Sequence, residues 1–386
     1  MSINMSLSVE RSALDAALKR VSDTLSKKPI IPITGFVRLS AEDGELVLRT
    51  CDLDRQMVVS IPADVDRPGA ICLPGDSFRD IVSGLPAGAQ VRLEHDDTNA
   101  RCAVASGRSR YRLSSLPASD HPDIGAAEGV TFSIPGIALK RAISRVAFAV
   151  SAAEDRTFLW GAHFHIAETD GVRKLALIAT DGFYFSRCFI NLPEGLEGFD
   201  GITIPTEALA TLAKIASDVA DIVLTVGQER VSATAGNVQF VTKLVEGRFP
   251  DYPRMIPAES GRAATVDRAA FAAALERFRV IDEKGSGISI TPSESSLVLS
   301  GRHEHLGDAR EEVEAEIHGN KELTAFGCAV ARKRVEAVLS RFSGEHVLLD
   351  QEATDKPIRF IPKSHSDVGH DAMVMPMLMQ ARAVEE

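Results

Sequence analysis

Two histidine pairs have the spacing that could bind a metal ion. His163 and His165, like His303 and His305, are separated by one residue, so each pair would place two imidazoles on one face of a strand. No carboxylate stands at a typical ligand spacing from either pair, and the two pairs occupy different positions in the order of elements. We therefore expect no metal and no cofactor, and keep a metal-dependent hydrolase as the remote alternative.

Asp52 and Asp181 are further candidate acids or bases, because each follows a strand-like run. An aspartate at the end of a strand more often caps the turn with its side chain. The sequence contains no Walker loop, no Gly-x-Ser-x-Gly, and no Gly-x-Gly-x-x-Gly opening a helix after a strand. These residues do not predict an enzyme.

Composition predicts a globular protein of two or three domains, since the chain has 386 residues, of which 45% are hydrophobic and 25% charged. Its five cysteines are scattered and form no Cys-x-x-Cys pair, which argues against a disulfide framework and a zinc knuckle. The N-terminus lacks a signal-peptide pattern, and no apolar run reaches the roughly 18 residues of a membrane span. We expect a cytoplasmic protein.

Apolar residues at helical spacing predict six helices. The same order of elements recurs three times along the chain, and each of these three passes contains two of the helices. Each pass also contains six strand-like runs, and an aliphatic run beginning at Leu46, Leu175 and Leu297 recurs at separations of 129 and 122 residues. We interpret this period as three tandem α+β domains, at residues 1–124, 125–257 and 258–386. The predicted helices span 8–26, 76–85, 139–150, 206–216, 269–280 and 331–342.

Basic charge is concentrated on the predicted helices, although the net charge of the whole chain is -11. The windows 10–28, 76–84, 139–150, 206–217, 267–284 and 330–341, which enclose most of these helices, carry +7, and the remainder carries -18. A basic helical face suits phosphate contacts without base recognition. The alternative is an ordinary solvated face. The clusters contain Lys19, Arg20, Lys27, Lys28, Lys140, Arg141, Arg145, Arg332, Lys333 and Arg334.

The stretch Leu244–Pro257 (LVEGRFPDYPRMIP) predicts a rigid exposed corner. Gly247 permits unusual backbone angles, and Pro250 and Pro253 end any strand or helix. Such a corner could be a docking site for another protein or a linker between domains. A docking site here would present Phe249, Tyr252 and Met255 beside Arg248 and Arg254.

Several motifs together resemble the bacterial DNA polymerase III beta subunit, the sliding-clamp family. They are VEGRFPDYPRMIP, the turn Ala179–Gly182, the segment Gly107–Pro122 and the terminal Val374–Met377, and they extend over all three repeats. The resemblance implies a head-to-tail homodimeric ring of six similar domains, each with two helices packed on antiparallel sheets. Such a ring would encircle duplex DNA and tether DNA polymerase III and other polymerases without catalysing a reaction.

The resemblance also implies three sets of functional residues. Short linear motifs of polymerases and the clamp loader would enter a cleft formed by Leu159, Thr180, Gly182, Phe183, Phe185, Pro250, Arg254, Met255, Met373, Val374, Met375, Pro376 and Met377. At the corner, Pro250, Arg254 and Met255 would then face a partner, while Phe249 and Tyr252 would hold the corner in place. Duplex DNA would meet Lys27, Lys28, Arg156 and Phe158, and the charge clusters add Lys140, Arg141, Arg145, Arg332 and Lys333. At the dimer interface, Tyr111 and Leu113 would meet Val280 and Ile281, with Arg108 and Arg110 facing Glu311, Glu312 and Glu314.

The chain departs from the pattern of the family at three places. Phe183, Tyr184 and Phe185 stand where the family usually has a His or Tyr, an Arg and a Leu, so the loop lacks a positive charge. Trp160 replaces a small polar residue, and residues 378–386 extend the chain past its usual end. The alternative is therefore a specialised second-copy clamp for repair or translesion polymerases.

Overall fold

The computed structural model describes residues 3–26, 28–96, 100–196, 198–257, 260–282, 287–319, 327–367 and 369–377. Its helices in these ranges are all too short or too polar to cross a membrane. The chain divides into two compact units. The first unit comprises Met1–Lys140, Pro193–Glu197 and Ala210–Leu244, and the second comprises Arg141–Leu192, Gly198–Leu209 and Val245–Glu386.

All six predicted helices overlap α-helices of the structure. Each helix is only two or three turns long, and it buries one apolar face against a sheet. The helices are α1 (Arg11–Val21), α2 (Gly75–Ser83), α3 (Gly136–Val146), α4 (Thr206–Ala216), α5 (Arg268–Arg277) and α6 (Arg332–Leu339).

The first unit contains two antiparallel sheets, of five and nine strands. Their orders are β5-β1-β7-β8-β9 and β10-β6-β2-β3-β4-β18-β17-β16-β11. In chain order, the strands are β1 (Ile3–Glu10), β2 (Phe36–Glu42), β3 (Glu45–Cys51), β4 (Arg55–Pro62), β5 (Asp64–Arg67), β6 (Gly69–Pro74), β7 (Gln90–Asp96), β8 (Arg101–Ser106), β9 (Ser109–Ser114), β10 (Leu116–Pro117), β11 (Val130–Pro135), β16 (Asp221–Val226), β17 (Arg230–Ala235) and β18 (Val238–Lys243).

The second unit contains one sheet of twelve strands, in the order β15-β12-β13-β14-β26-β25-β24-β19-β22-β21-β20-β23. Its strands are β12 (Gly161–Thr169), β13 (Val172–Thr180), β14 (Tyr184–Asn191), β15 (Ile202–Pro205), β19 (Ala263–Asp267), β20 (Ile288–Pro292), β21 (Ser296–His303), β22 (Gly307–His318), β23 (Cys328–Val330), β24 (His346–Asp350), β25 (Ile358–Lys363) and β26 (His370–Val374).

One pattern, a strand and a helix followed by three strands, occurs six times along the chain. Each of the three repeats contains two copies of this pattern, so the repeat predicted from the aliphatic runs has a finer internal repeat. The copies begin at β1, β6, β11, β15, β19 and β23.

Main-chain pairing joins neighbouring repeats at two seams. The last strand of one half-repeat pairs antiparallel with the last strand of another: β4 with β18 inside the first unit, and β14 with β26 inside the second. Each seam makes a sheet continuous between repeats, because both strands satisfy their backbone groups across the boundary. The remaining two equivalent strands are β9 and β22. Among the described strands, β9 pairs only with β8, and β22 pairs with β19 and β21.

Two pairs of helices, α1 with α2 and α5 with α6, each bury their apolar faces within one unit. In the first unit, Leu14, Leu18 and Val21 of α1 are fully buried, and α1 packs against α2 and β4. In the second unit, α5 packs against α6, and their apolar residues share one core with strands β19 to β26. Burial of each such side chain contributes about 1.5–3 kcal/mol.

Two helices begin at a glycine that the packing requires. The sequence predicts that Asp76 caps α2, but this prediction is wrong: α2 follows Pro74 directly, and Asp76 lies in its first turn and pairs with Arg79 at 2.8 Å. A Cβ on Gly75 would lie 2.5 Å from the side chain of Leu25, and one on Gly136 of α3 would lie 2.2 Å from the backbone oxygen of Ala216. Both strand-to-helix junctions are therefore too close for a side chain.

Candidate functional site

The corner after β18 has aromatic residues inside and a cation and a methionine outside. Gly247 has a φ of 101°, which favours glycine, and a single 3-10 turn spans Tyr252–Met255. Phe249 and Tyr252 are buried, whereas Met255 is 46% exposed. This confirms that the aromatic residues of the corner hold it in place.

His163 and His165 attach this corner to strand β12. The His163 ring stacks on Phe249 with 4.7 Å between centroids, and His165 Nε2 lies 2.9 Å from the Tyr252 hydroxyl. The pKa of both imidazoles is lowered to about 4, by burial for His165 and by burial together with the neighbouring His165 for His163. The neutral rings therefore pack the corner, and the described residues contain no group of three or more His, Cys, Asp or Glu that could hold a metal.

An apolar cluster lies under the corner and contains three of the residues expected to form a cleft. Leu159, Phe185 and Met373 come from three separate segments, yet they pack together with Phe249 and Tyr252. They are almost completely buried, so they form the floor of a candidate cleft. Phe158 is half-buried and packs against the same cluster, and its expected contact with DNA stays a prediction.

The turn between β13 and β14 is fixed by its own side chains. Asp181 Oδ1 accepts hydrogen bonds from the backbone of Phe183 and Tyr184, both at 2.7 Å, so this aspartate caps the turn. Thr180 is buried, and its hydroxyl donates to the carbonyl of Tyr184. Gly182 has a φ of 90°. Phe183 stands on this hydrogen-bonded turn, and its side chain is 50% exposed.

The segment after β26 lies beside this turn. The backbone N–H of Met375 donates to the carbonyl of Phe183 at 2.9 Å, and that of Met377 donates to Ala329 at 2.7 Å. Met375 is 37% exposed, and Pro376 and Met377 are half-buried. Val374 is fully buried in the core of the second unit, so it supports the cleft and does not face a partner.

Polar residues surround the apolar floor. Arg254 is exposed and pairs with Asp251 at 2.8 Å, and Pro250 is half-buried beside it. Arg156 is exposed and donates to the carbonyl of Asp181 at 3.4 Å, so it lies against the turn of the cleft, and its expected contact with DNA stays a prediction. Trp160 is 40% exposed and donates its indole N–H to Ala153 at 2.7 Å.

Two of the expected DNA contacts are wrong, because the structure buries them. Arg145 forms a buried ion pair with Asp367, and Arg332 is 4% exposed and pairs with Asp282 at 2.9 Å. A guanidinium that is enclosed with its carboxylate cannot reach a phosphate. Lys28, Lys140, Arg141 and Lys333 are exposed and keep the predicted role. Lys27 lies outside the described residues, as does the extension 378–386.

The residues expected at the dimer interface lie on β9 and the turn before it, on β22, and at the 3-10 turn Phe278–Val280 that follows α5. Tyr111 is 41% exposed on β9, which pairs only with β8 among the described strands. Val280 is 74% exposed, whereas Ile281 is packed near Gly301. Glu311 binds Arg277 and Glu312 binds Arg310 in exposed pairs within the chain, and the expected facing of Arg108 and Arg110 toward these glutamates stays a prediction.

Three family models match the chain in sequence order. They describe the DNA polymerase III beta subunit: its N-terminal domain matches residues 5–125, its central domain 133–251 and its C-terminal domain 253–377. Together they cover nearly the whole chain.

Relatives and solved structures agree with these models. The beta sliding clamp of Caulobacter vibrioides is 32% identical over 319 residues, which are 82% of this chain and 86% of that relative. The beta sliding clamp of Escherichia coli K12 is 32% identical over 312 residues, covering 80% of this chain and 83% of its own length. The crystal structure of the C. crescentus beta sliding clamp has a TM-score of 0.91 and 29% identity, and the match covers 97% and 99% of the two chains. The chain therefore belongs to the DNA polymerase III beta subunit family, the DNA sliding clamps, which confer processivity on polymerases and catalyse no reaction themselves.

Proposed function

We propose that two copies of this chain close head to tail into a ring around duplex DNA, and that the ring tethers polymerases through the cleft described above. The boundaries of its three domains lie after residues 124 and 257. Basic residues Lys28, Lys140, Arg141 and Lys333 supply phosphate contacts that are independent of sequence.

One observation supports the proposed dimer: the last strands of the six half-repeats are equivalent, and four of them already pair two by two within the chain. Two seams of the repeat are filled inside the chain, by β4 with β18 and by β14 with β26. The strands that would form the third seam are β9 in the first unit and the N-terminal half of β22 in the second, which pairs only with β21 among the described strands. An unpaired strand edge is a template for another chain. Pairing of β9 with β22 of a second copy gives a head-to-tail dimer with two identical seams.

The internal seams also give the register of the third one. Phe240 lies opposite Met57 in the first seam, and Ala372 lies opposite Ser186 in the second. Met57, Ser186 and Ala309 are equivalent positions, because each lies opposite the same position after the recurring aliphatic run on its neighbouring strand. Phe240, Ala372 and Tyr111 are equivalent as well, because each lies opposite the same position of the preceding strand in its half-repeat. Tyr111 of one copy therefore lies opposite Ala309 of the other.

This register places two pairs of opposite charges across the seam, and one pair of like charges, Arg110 opposite Arg310. Arg112 lies opposite Asp308, and Arg108 lies opposite Glu312. Arg112 and Asp308 are exposed, and neither belongs to an ion pair among the described residues. Ala309 pairs with Gly301, and Gly301 lies next to Ile281. Tyr111 therefore comes close to Ile281, which supports the contact that the resemblance implies.

Retention on DNA tests the ring. We expect the purified protein, loaded on nicked circular duplex, to remain bound through gel filtration in about 0.2 M salt. Linearising the same DNA should release it, because a topological link ends where the duplex ends and the phosphate contacts alone weaken steeply with salt. Equal retention on both DNAs would contradict the proposal.

A specialised clamp for repair or translesion polymerases is the second candidate, and the aromatic run Phe183–Phe185 on the cleft turn favours it. Binding to the C-terminal tail of a replicative polymerase and to that of a translesion polymerase can be compared directly. Preference for the translesion tail would support specialisation, and preference for the replicative tail would exclude it.

A further inference from the structure

Phe183 and Arg334 form a pair of side chains at the rim of the cleft that no sequence motif predicts. Phe183 stands on the rigid turn after Gly182, and Arg334 belongs to α6. The guanidinium carbon of Arg334 lies 4.0 Å from the centre of the Phe183 ring and 5.9 Å from that of Tyr184. A cation over an aromatic face is attracted by the ring, which orients the flat guanidinium group.

The side chain of Arg334 contacts no acidic partner in the described chain. Its neighbour Arg332 pairs with Asp282 and Glu336, and Arg187 pairs with Asp371. In contrast, no hydrogen bond or ion pair among the described residues uses the guanidinium of Arg334. The nearest turn carboxylate, that of Asp181, accepts hydrogen bonds from two backbone N–H groups. The N–H groups of Arg334 are therefore available to another molecule.

The position of the pair connects this cation to the cleft. The carbonyl of Phe183 accepts the N–H of Met375, so both exposed apolar side chains stand next to each other on the rim. A segment that places apolar side chains on Met375 and on the floor passes beside Arg334. A guanidinium held flat presents its N–H groups in the geometry that binds both oxygens of a carboxylate.

We propose that Phe183 and Arg334 together recognise a carboxylate, so that the cleft prefers partner segments with an Asp or Glu within about three residues of their apolar anchor. This rests on the proposed function of the cleft. Arg334 is then a specificity residue supplied by α6, and Phe183 positions it.

Fluorescence anisotropy with short labelled peptides tests this proposal. One set carries Leu and Phe as apolar anchors and a single Asp placed one, two or three residues before them, and a matched set carries Asn. We expect at least one Asp peptide to bind about five- to tenfold more tightly than its Asn counterpart, as a charge-assisted hydrogen bond at a partly exposed site would give.

Variants separate this role from a structural one. Arg334→Gln should remove the preference for Asp and leave the affinity for the Asn peptides unchanged, and Arg334→Lys should restore part of the preference. Arg341→Gln is the matched control, because Arg341 also lies over an aromatic ring, that of Phe148 at 5.6 Å. It should leave the preference intact.

The remaining possible results contradict either the role of Arg334 or the proposed cleft itself. Equal binding of Asp and Asn peptides by the wild-type protein, or an equal loss of both in Arg334→Gln, would overturn the role of Arg334 while the cleft stands. If no peptide binds the wild-type protein, or if Met375→Ala leaves binding unchanged, the proposed cleft itself is wrong, and the carboxylate site fails with it.

Discussion

Individual residues of this protein divide into those that shape the cleft and those that face outward. His163 and His165 have the spacing of metal ligands, but their neighbours are the aromatic residues of the corner. Sequence spacing shows which side chains share a face, yet it does not show what packs on that face. The same limit explains Arg145, whose partner Asp367 is 222 residues away.

The buried histidines predict a dependence of stability on pH. Burial lowers the pKa of His163 and His165 from 6.5 to about 4. Above pH 6.5 both the folded and the unfolded chain carry neutral imidazoles. Between pH 6.5 and 4 the unfolded chain binds protons that the folded chain does not, so the free energy of unfolding falls as pH falls. Each histidine should contribute a loss of about 2 kcal/mol between pH 7 and 5.

Urea unfolding at pH 7 and 5 measures this loss. His165→Gln keeps a hydrogen-bonding side chain beside Tyr252 but cannot be protonated, so it should reduce the loss by about 2 kcal/mol. His346→Gln, at an exposed position of β24, is the control and should leave the loss unchanged. An identical loss in wild-type and His165→Gln protein would refute the explanation.

At the scale of elements, the alternating apolar pattern is what the sequence encodes most clearly. All eighteen strand-like runs and all six predicted helices overlap elements of the structure. Six of the eight additional strands immediately precede a helix: β1, β6, β11, β15, β19 and β23. These strands run into the helix without an intervening loop, so no polar loop segment separates the strand from the helix in the sequence.

The junctions between strand and helix predict unequal effects of adding one methyl group. Gly136→Ala would place Cβ 2.2 Å from the backbone oxygen of Ala216 and 2.6 Å from that of Val219, and backbone cannot move aside cheaply. We expect a loss of about 2–3 kcal/mol. Gly75→Ala meets the flexible side chain of Leu25 and should cost less.

The matched control is Gly84→Ala at the end of α2, where the nearest atom lies 3.5 Å away and φ is -78°. Thermal or urea unfolding of the three variants should rank them Gly136→Ala, Gly75→Ala and Gly84→Ala, from least to most stable. Equal stability of the first and the last would show that the close backbone approach does not limit this position.

At the scale of the whole molecule, two internal seams leave β9 and the N-terminal half of β22 each with one partner strand among the described residues, which is the basis of the proposed third seam. The aliphatic run at Leu46, Leu175 and Leu297 reveals the repeat in the sequence. The register needs the structure, because it follows from which residues lie opposite each other in the two internal seams. Likewise, sequence motifs locate the turn of the cleft, whereas the contact between Phe183 and Arg334 joins residues 151 positions apart.

Sedimentation equilibrium of charge-reversed chains tests the central claim, that β9 of one copy pairs with β22 of the other. Arg112→Asp and Asp308→Arg should each convert the dimer into monomers, because each places like charges opposite each other at both seams. An equimolar mixture of the two variants should restore the dimer, since one seam then contains the swapped pair and the other the original pair. Arg101→Asp on the neighbouring strand β8 should remain dimeric. A mixture that stays monomeric, or single variants that remain dimers, would contradict the account.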